Sequence, residues 1–141
     1  MLCSEIKKSA IECVSPGDTA EIAAQRMRDH NVGFLPVCDQ ELHVVGTLTD
    51  RDLAVRLVAE GRPGTTPVKD VMTHEVVSCR STDSIAHAED LMGLFHVGRI
   101  LCTEEDGTIA GLISLSDVAE HDSTSRAGQT LKDVTVRERR P

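Results

Sequence analysis

The chain has 141 residues, with 23 acidic against 15 basic side chains and a formal net charge of −8. That length suits one domain or two half-size units sharing a core, and the acidic balance argues against a broad phosphate-backbone footprint. Trp and Tyr are absent and Phe34 and Phe95 are the only aromatics, which excludes a base-stacking platform for nucleic acid and leaves any bound base to aliphatic side chains and backbone.

The opening Met1–Lys8 lacks the apolar stretch and cleavage site of a secretory signal, and no apolar run reaches transmembrane length. A cytoplasmic location without a membrane partner is expected. Ile11–Val14 reads as a short strand, turned by Pro16-Gly17. Asp18 with Glu21 three residues on has capping-box spacing, and Ile22, Ala23, Met27 and His30 mark one helical face. Asn31 and Gly33 end that helix. Phe34–Cys38 reads as a buried strand, Asp39–Glu41 as a hairpin loop and Val44–Leu48 as the returning strand. Thr49 starts a second helix through Leu53, Val55, Leu57 and Val58, stopped by Gly61 and Pro63.

The same order returns after a shift of 65 residues, without a gap, so that Asp18–Leu53 lies over Asp83–Val118. Asp18 meets Asp83, Ala23 meets Ala88, Met27 meets Met92, Gly46 meets Gly111 and Asp52 meets Asp117. The second copy reads as strand Val76–Cys79, helix Asp83–Phe95, strand Arg99–Cys102, turn Glu105–Gly107, strand Ile109–Ile113 and helix Ser116–His121. The expected organisation is a first repeat over 6–62, a linker over 63–67, a second repeat over 68–122 and a polar tail over 123–141. Two such units imply a pseudo-twofold particle with a groove between its halves, where a small ligand would bind.

Val68-Lys69-Asp70-Val71-Met72-Thr73, His30-Asn31-Val32-Gly33-Phe34-Leu35-Pro36-Val37 and Gly46-Thr47-Leu48-Thr49-Asp50-Arg51-Asp52 resemble the CBS domain. Doubled, the chain resembles a tandem CBS pair, or Bateman module, of the stand-alone type, from Ile6 to about His121. The resemblance implies an α/β (α+β-like) fold of two β-α-β-β-α repeats. It also implies a homodimer and an inter-repeat cleft for an adenosine-containing ligand such as AMP, ADP, ATP or S-adenosylmethionine. The family's Ser/Thr-x-x-Asp pattern falls on Thr49 and Asp52, and on Ser114 and Asp117.

Those residue types suit such a ligand. A carboxylate, at Asp52 or Asp117, can accept both hydroxyls of a ribose. The hydroxyls of Thr49 and Ser114 precede helices whose first N–H groups are unpaired. Arg51 and Arg99 can supply charge to a phosphate. Val14, Pro36, Cys79 and Leu101 could line an adenine slot. The same Thr/Ser-x-x-Asp pairs also read as plain helix caps, worth about 1 kcal/mol each. The repeats are unequal: Leu101 stands where repeat one has Pro36, and Leu115-Ser116 where it has Asp50-Arg51. Charge therefore favours the first motif for a phosphate, while Arg99 keeps the second in play.

Cys3, Cys13, Cys38, Cys79 and Cys102 are an odd set without a C-x-x-C. Cys13 and Cys38 fall on strands expected to be adjacent, so a redox-responsive disulfide stands beside the simpler reading of small buried hydrophobes. The six histidines form no metal pattern, and no metal site is assigned. The tail reads as a mobile terminus with a basic cluster, Arg137–Arg140, although Leu131-Lys132-Asp133-Val134 echoes Val68–Val71 and so suggests packing on a partner subunit.

No nucleophile, base and acid occur together at recognisable spacing, so an enzyme is not expected. The expected function is a regulatory module that binds an adenosyl ligand and signals to a protein partner by conformational shift. The alternative is a ligand-free, dimeric, stress-associated interaction protein, redox-responsive through its cysteines.

Overall fold

The computed structural model describes residues 1–9 and 11–135. In chain order the elements are α1 (Cys3–Ile6), α2 (Ala20–His30), β1 (Phe34–Cys38), β2 (Val44–Thr49), α3 (Asp50–Asp52), β3 (Ser78–Arg80), α4 (Ile85–Phe95), β4 (Arg99–Thr103), β5 (Ile109–Ser114), α5 (Leu115–His121) and α6 (Thr124–Thr135). A π-helical stretch, Leu53–Val58, continues α3, and a 3-10 turn covers Val68–Asp70. Helices and sheets are mixed, in the α+β class. No helix among the described residues is long and apolar enough to cross a membrane.

Two compact units divide the chain. One is Glu12–Val76, and in the other Met1–Ile11 joins the stretch that begins at Val77. In each unit an entry segment docks on the last strand by a backbone bridge: Thr73 on Thr47 in the first, Lys8 on Leu112 in the second. Lys8 and Thr73 are themselves 65 residues apart. The entry segment of each repeat is therefore built into the unit formed by the other repeat.

In the Glu12–Val76 unit, β1 and β2 form an antiparallel hairpin. Val14, Ala23, Met27, Leu35, Val37, Leu48, Val68 and Val71 are buried together against it. In the other unit β3 runs parallel to β4, which runs antiparallel to β5. Cys3, Ala88, Met92, Ile100, Cys102, Ile113 and Val118 make its core. The helix after each first turn is capped one residue later than its aspartate. Thr19 Oγ1 accepts from Ile22 N at 3.2 Å, and Ser84 Oγ from His87 N at 3.1 Å. Asp18 and Asp83 instead close the preceding turns, accepting from Ser15 N and Arg80 N. The Asp18–Glu21 capping box is thus corrected to a Thr19 cap. Asn31 and His96 end the two helices in the left-handed conformation, at φ 53° and 54°.

The expected strand Ile11–Val14 reduces to a single parallel bridge between Val14 and Val37. Proline explains the difference. Val14 N donates to Pro36 O and Cys38 N to Val14 O, at 3.0 and 2.9 Å. The next rung would need an N–H at position 36, which proline lacks. In the other unit Leu101 has that N–H and donates to Val77 O at 3.2 Å, and a strand forms. Pro36→Ala is expected to add the missing bond and give a protected amide at position 36. The proline's restriction of the unfolded chain (about 0.4–1 kcal/mol) and a new hydrogen bond (about 0.5–1.5 kcal/mol) oppose each other. Net stability should therefore move by less than about 1 kcal/mol, which amide exchange and a urea melt would check.

The tail expected to be mobile is corrected over Thr124–Thr135. This segment is α6, which packs on α4 and α5 and buries Thr130 and Val134. Gly93 permits the close approach, since a Cβ there would lie 3.0 Å from Asp133 Cβ. His96 Nδ1 meets Asp133 O at 2.7 Å. The basic cluster Arg137–Arg140 lies outside the described residues.

Candidate functional site

Both Ser/Thr-x-x-Asp motifs sit where a strand runs directly into a helix. At the end of β2, Thr49 Oγ1 accepts from Asp52 N and Asp52 Oδ2 accepts from Thr49 N, each at 3.0 Å. At the end of β5, Ser114 N donates to Asp117 Oδ2 at 2.8 Å, and Asp117 N donates to Ser114 Oγ at 3.4 Å. These are reciprocal capping boxes, so the sequence pattern has a complete structural role at both places.

The two carboxylates nevertheless differ in what else reaches them. Thr73 Oγ1 donates to both oxygens of Asp52 at 3.3 Å. Asp117 is instead faced by Lys8, with Nζ 3.6 Å from Oδ1, and its side chain is only 8% exposed. Ser114 Oγ adds a hydrogen bond to Asp117 at 2.9 Å and another contact to Ser116 Oγ at 2.7 Å. The docked entry segments thus bring a neutral hydroxyl to one aspartate and an ammonium to the other. Asp52 has spare lone pairs, because four acceptor sites serve only a backbone N–H and one hydroxyl. Asp117 is buried and ion-paired with the exposed Lys8.

The neighbours sharpen the contrast. Arg51 is exposed on α3, and Asp50 beside it lies against Gly33, where a Cβ would come within 2.7 Å of Asp50 Oδ2. Asp50 N also donates to Gly33 O at 3.0 Å. In the other unit Leu115 N donates to Gly98 O in the same way, and an apolar side chain takes the aspartate's place. Arg99 begins β4, directly opposite Ser114 across the β4–β5 ladder.

The four apolar positions are all buried. Val14 and Cys79 belong to the cores of their own units. Val14 N bonds Pro36 O, which unites two of the predicted residues. Pro36 pairs with Thr47 in the β1–β2 hairpin, between the core residues Leu35 and Val37. Leu101 pairs with Ser78 on one side and Leu112 on the other. Sequence reasoning does not single out Thr73 or Lys8. Thr73 closes the Val68–Thr73 motif, a signal that could have found it. Lys8 lies 109 positions from Asp117, and nothing in its own neighbourhood announces the pairing.

Cys13 and Cys38 are both free thiols in mutual hydrogen-bond contact. That contact holds Cys13 below the usual thiol range and Cys38 above it.

The CBS domain family matches this chain twice, over residues 3–59 and 68–123. The chain is 37% identical over 126 residues to CBS domain-containing protein YhcV of Bacillus subtilis, covering 89% of each. It is 29% identical over 118 residues to hypoxic response protein 1 of Mycobacterium tuberculosis, covering 83% of this chain and 82% of that one. The crystal structure of hypoxic response protein I with two coordinated zinc ions superposes at a TM-score of 0.79 and 27% identity, over 87% of this chain and all of that one. The complex of CBSX2 with AMP matches at a TM-score of 0.73 and 21% identity, over 93% of this chain and 98% of its own. The CBS domain pair of MJ0100, with 5-methylthioadenosine and S-adenosyl-L-methionine, matches at 0.76 and 18%, over 85% and 94%. The last two likenesses concern the fold.

Proposed function

Since the chain belongs to the CBS-domain family, with two CBS domains in tandem, we propose that it is a non-catalytic regulatory module that binds an adenosine-containing ligand at the Thr49–Asp52 helix start. The carrying observation is the difference between the two aspartates. Asp52 meets only neutral donors, whereas Lys8 compensates Asp117. A ribose diol can add to the first carboxylate without displacing a cation. Thr49 and the exposed Arg51 supply a hydroxyl and a positive charge for a phosphate nearby. AMP in CBSX2 and the two adenosyl ligands in MJ0100 support this ligand class.

In this reading the module works as a cytoplasmic homodimer. Ligand binding favours one of two conformations, and a protein partner reads the difference. This requires unequal ligand affinity for the two states. Isothermal titration with AMP, ADP, ATP and S-adenosylmethionine tests the proposal. At least one should bind, and Asp52→Asn should weaken it about tenfold or more, as loss of a charged hydrogen-bond acceptor does. Asp117→Asn should leave that affinity within about twofold. Silence from all four ligands would overturn the reading.

A second reading rests on the capping boxes. They give both motifs a full role without a ligand, which favours a dimeric interaction protein. A stable dimer on sizing with no thermal shift from any adenine ligand would select it.

A further inference from the structure

Three of the five cysteines meet in one place. Cys79 Sγ lies 3.6 Å from Cys102 Sγ and 3.7 Å from Cys3 Sγ. Cys3 and Cys102 are also in side-chain hydrogen-bond contact. The set is a closed triangle of free thiols, buried among Ile6, Ile85, Ala88, Met92 and Ile113. The equivalent positions 65 residues away are Val68, Val14 and Val37, all buried in the core of the other unit. Valine fills the same three places there, so packing does not call for sulfur. A buried cysteine taken singly is a small hydrophobe. Three in mutual contact at positions that valine can fill carry a chemistry that valine lacks.

The three thiols are not held equally. Cys79 and Cys102 are register partners on the parallel strands β3 and β4. Cys3 is on α1, one turn of four residues, tied down by Cys3 N to Asp83 O, Ser4 N to Ser81 O and Ile85 N to Met1 O, at 2.8–2.9 Å. Of the three thiols only Cys3 sits on a single-turn element rather than in a strand pair, so it is the one that local opening could release.

We infer that this triangle is an oxidation site: hydrogen peroxide oxidises Cys3 when α1 opens, and Cys79 then forms a Cys3–Cys79 disulfide that pins α1 to β3. In the first step the Cys3 sulfur attacks a peroxide oxygen. An S–O bond forms, the O–O bond breaks, and the departing hydroxide takes up the thiol proton as water. In the second step the Cys79 sulfur attacks the sulfenic sulfur. The S–S bond forms, the S–O bond breaks, and hydroxide leaves with the Cys79 proton as a second water. Two thiols lose two electrons, and one peroxide gains them.

The test treats the reduced full chain with hydrogen peroxide, blocks the remaining thiols by alkylation and maps peptides without reductant. A cross-link between the Cys3 and Cys79 peptides is expected, and it should persist in Cys13→Ser and Cys38→Ser. In Cys3→Ser the oxidation of Cys79 and Cys102 should slow about tenfold or more, because neither strand thiol opens with α1. The double change Cys79→Val and Cys102→Val copies the packing of Val14 and Val37, and keeps the fold while removing both resolving thiols. Dimedone should then capture a sulfenic acid at Cys3. Failure to cross-link, a Cys79–Cys102 link at unchanged rate in Cys3→Ser, or a valine double variant without the dimedone adduct would each overturn the assignment.

Discussion

Raising the pH from about 5 to about 8 should destabilise this protein by roughly 2–3 kcal/mol, and Glu89→Gln should remove most of that slope. Glu89 is 3% exposed on α4. Its Oε1 accepts from Thr130 Oγ1 on α6 at 2.9 Å. Its Oε2 and Asp122 Oδ2 are both buried without a conventional partner. Each faces the Arg126 guanidinium at 3.9 Å, beyond hydrogen-bond reach. A proton shared between the two carboxyl groups satisfies both. Burial first, and Asp122 second, push Glu89 up to about 7, while the hydrogen bond from Glu89 holds Asp122 below its ordinary range.

The sign follows from the raised group. Glu89 binds its proton more tightly in the folded chain than its ordinary 4.5 allows. Its contribution is complete below about 4.5 and is lost as pH rises through about 7. Asp122 acts oppositely, but only at pH below its ordinary 3.8, outside this window. In Glu89→Gln the new amide would donate to Asp122 at every pH, and its carbonyl would still accept from Thr130. Glu89→Leu would leave Asp122 Oδ2 unsatisfied and cost about 1–3 kcal/mol, while Thr130 Oγ1 keeps its bond to Arg126 O. Urea melts from pH 5 to 8 measure all three proteins, and a flat wild-type profile would refute the shared proton.

Gly46→Ala should cost about 1–3 kcal/mol and loosen Thr73 from Asp52. A Cβ at position 46 would lie 2.8 Å from Met72 Sδ and 2.9 Å from Thr73 O. The sulfur can move aside. The carbonyl is part of the Thr47–Thr73 bridge, so the docked entry segment must shift. Gly111→Ala repeats the experiment in the other unit, where the obstacles are Lys7 Cδ at 2.7 Å and Lys8 O at 2.9 Å. There the expected consequence is a weaker Lys8–Asp117 pair. Gly128 on α6 is the control, since its Cβ would meet nothing within 4 Å. Alanine there should stabilise by up to about 1 kcal/mol through helix propensity. Urea melts and amide exchange at 7–8 and 72–73 read the outcome, and unchanged stability in both glycine variants would show that the entry segments do not need this close approach.

These contacts mark the limit of what can be read from the chain. Phe34–Cys38 and Arg99–Cys102 are legible as strands because their apolar runs are bounded by turn residues. The two central helices are legible from spacing, but pattern puts the first cap at Asp18, one residue early, and starts the second helix at Asp83, two residues early. Aspartate and threonine are both good caps, and only the path of the preceding turn chooses between them. The strand expected at Ile11–Val14 fails on Pro36, which lies more than 20 positions away, because a ladder depends on both of its strands. Helix α6 reads as a tail because its polar face dominates. Its stability comes from Thr130 and Val134 packing on elements that local pattern does not show.

The family, the repeat and the Thr49–Asp52 and Ser114–Asp117 pairs were determined by the sequence alone, since each is a matter of residue type at fixed short spacing. Tertiary structure alone decided that Thr73 reaches Asp52 and Lys8 reaches Asp117, and that Cys3 completes a thiol triangle with Cys79 and Cys102. Those meetings arise because each entry segment docks on the strand of the other repeat, across long stretches of chain. No local periodicity encodes such a pairing. It is selected by backbone hydrogen bonds and by close packing at Gly46 and Gly111.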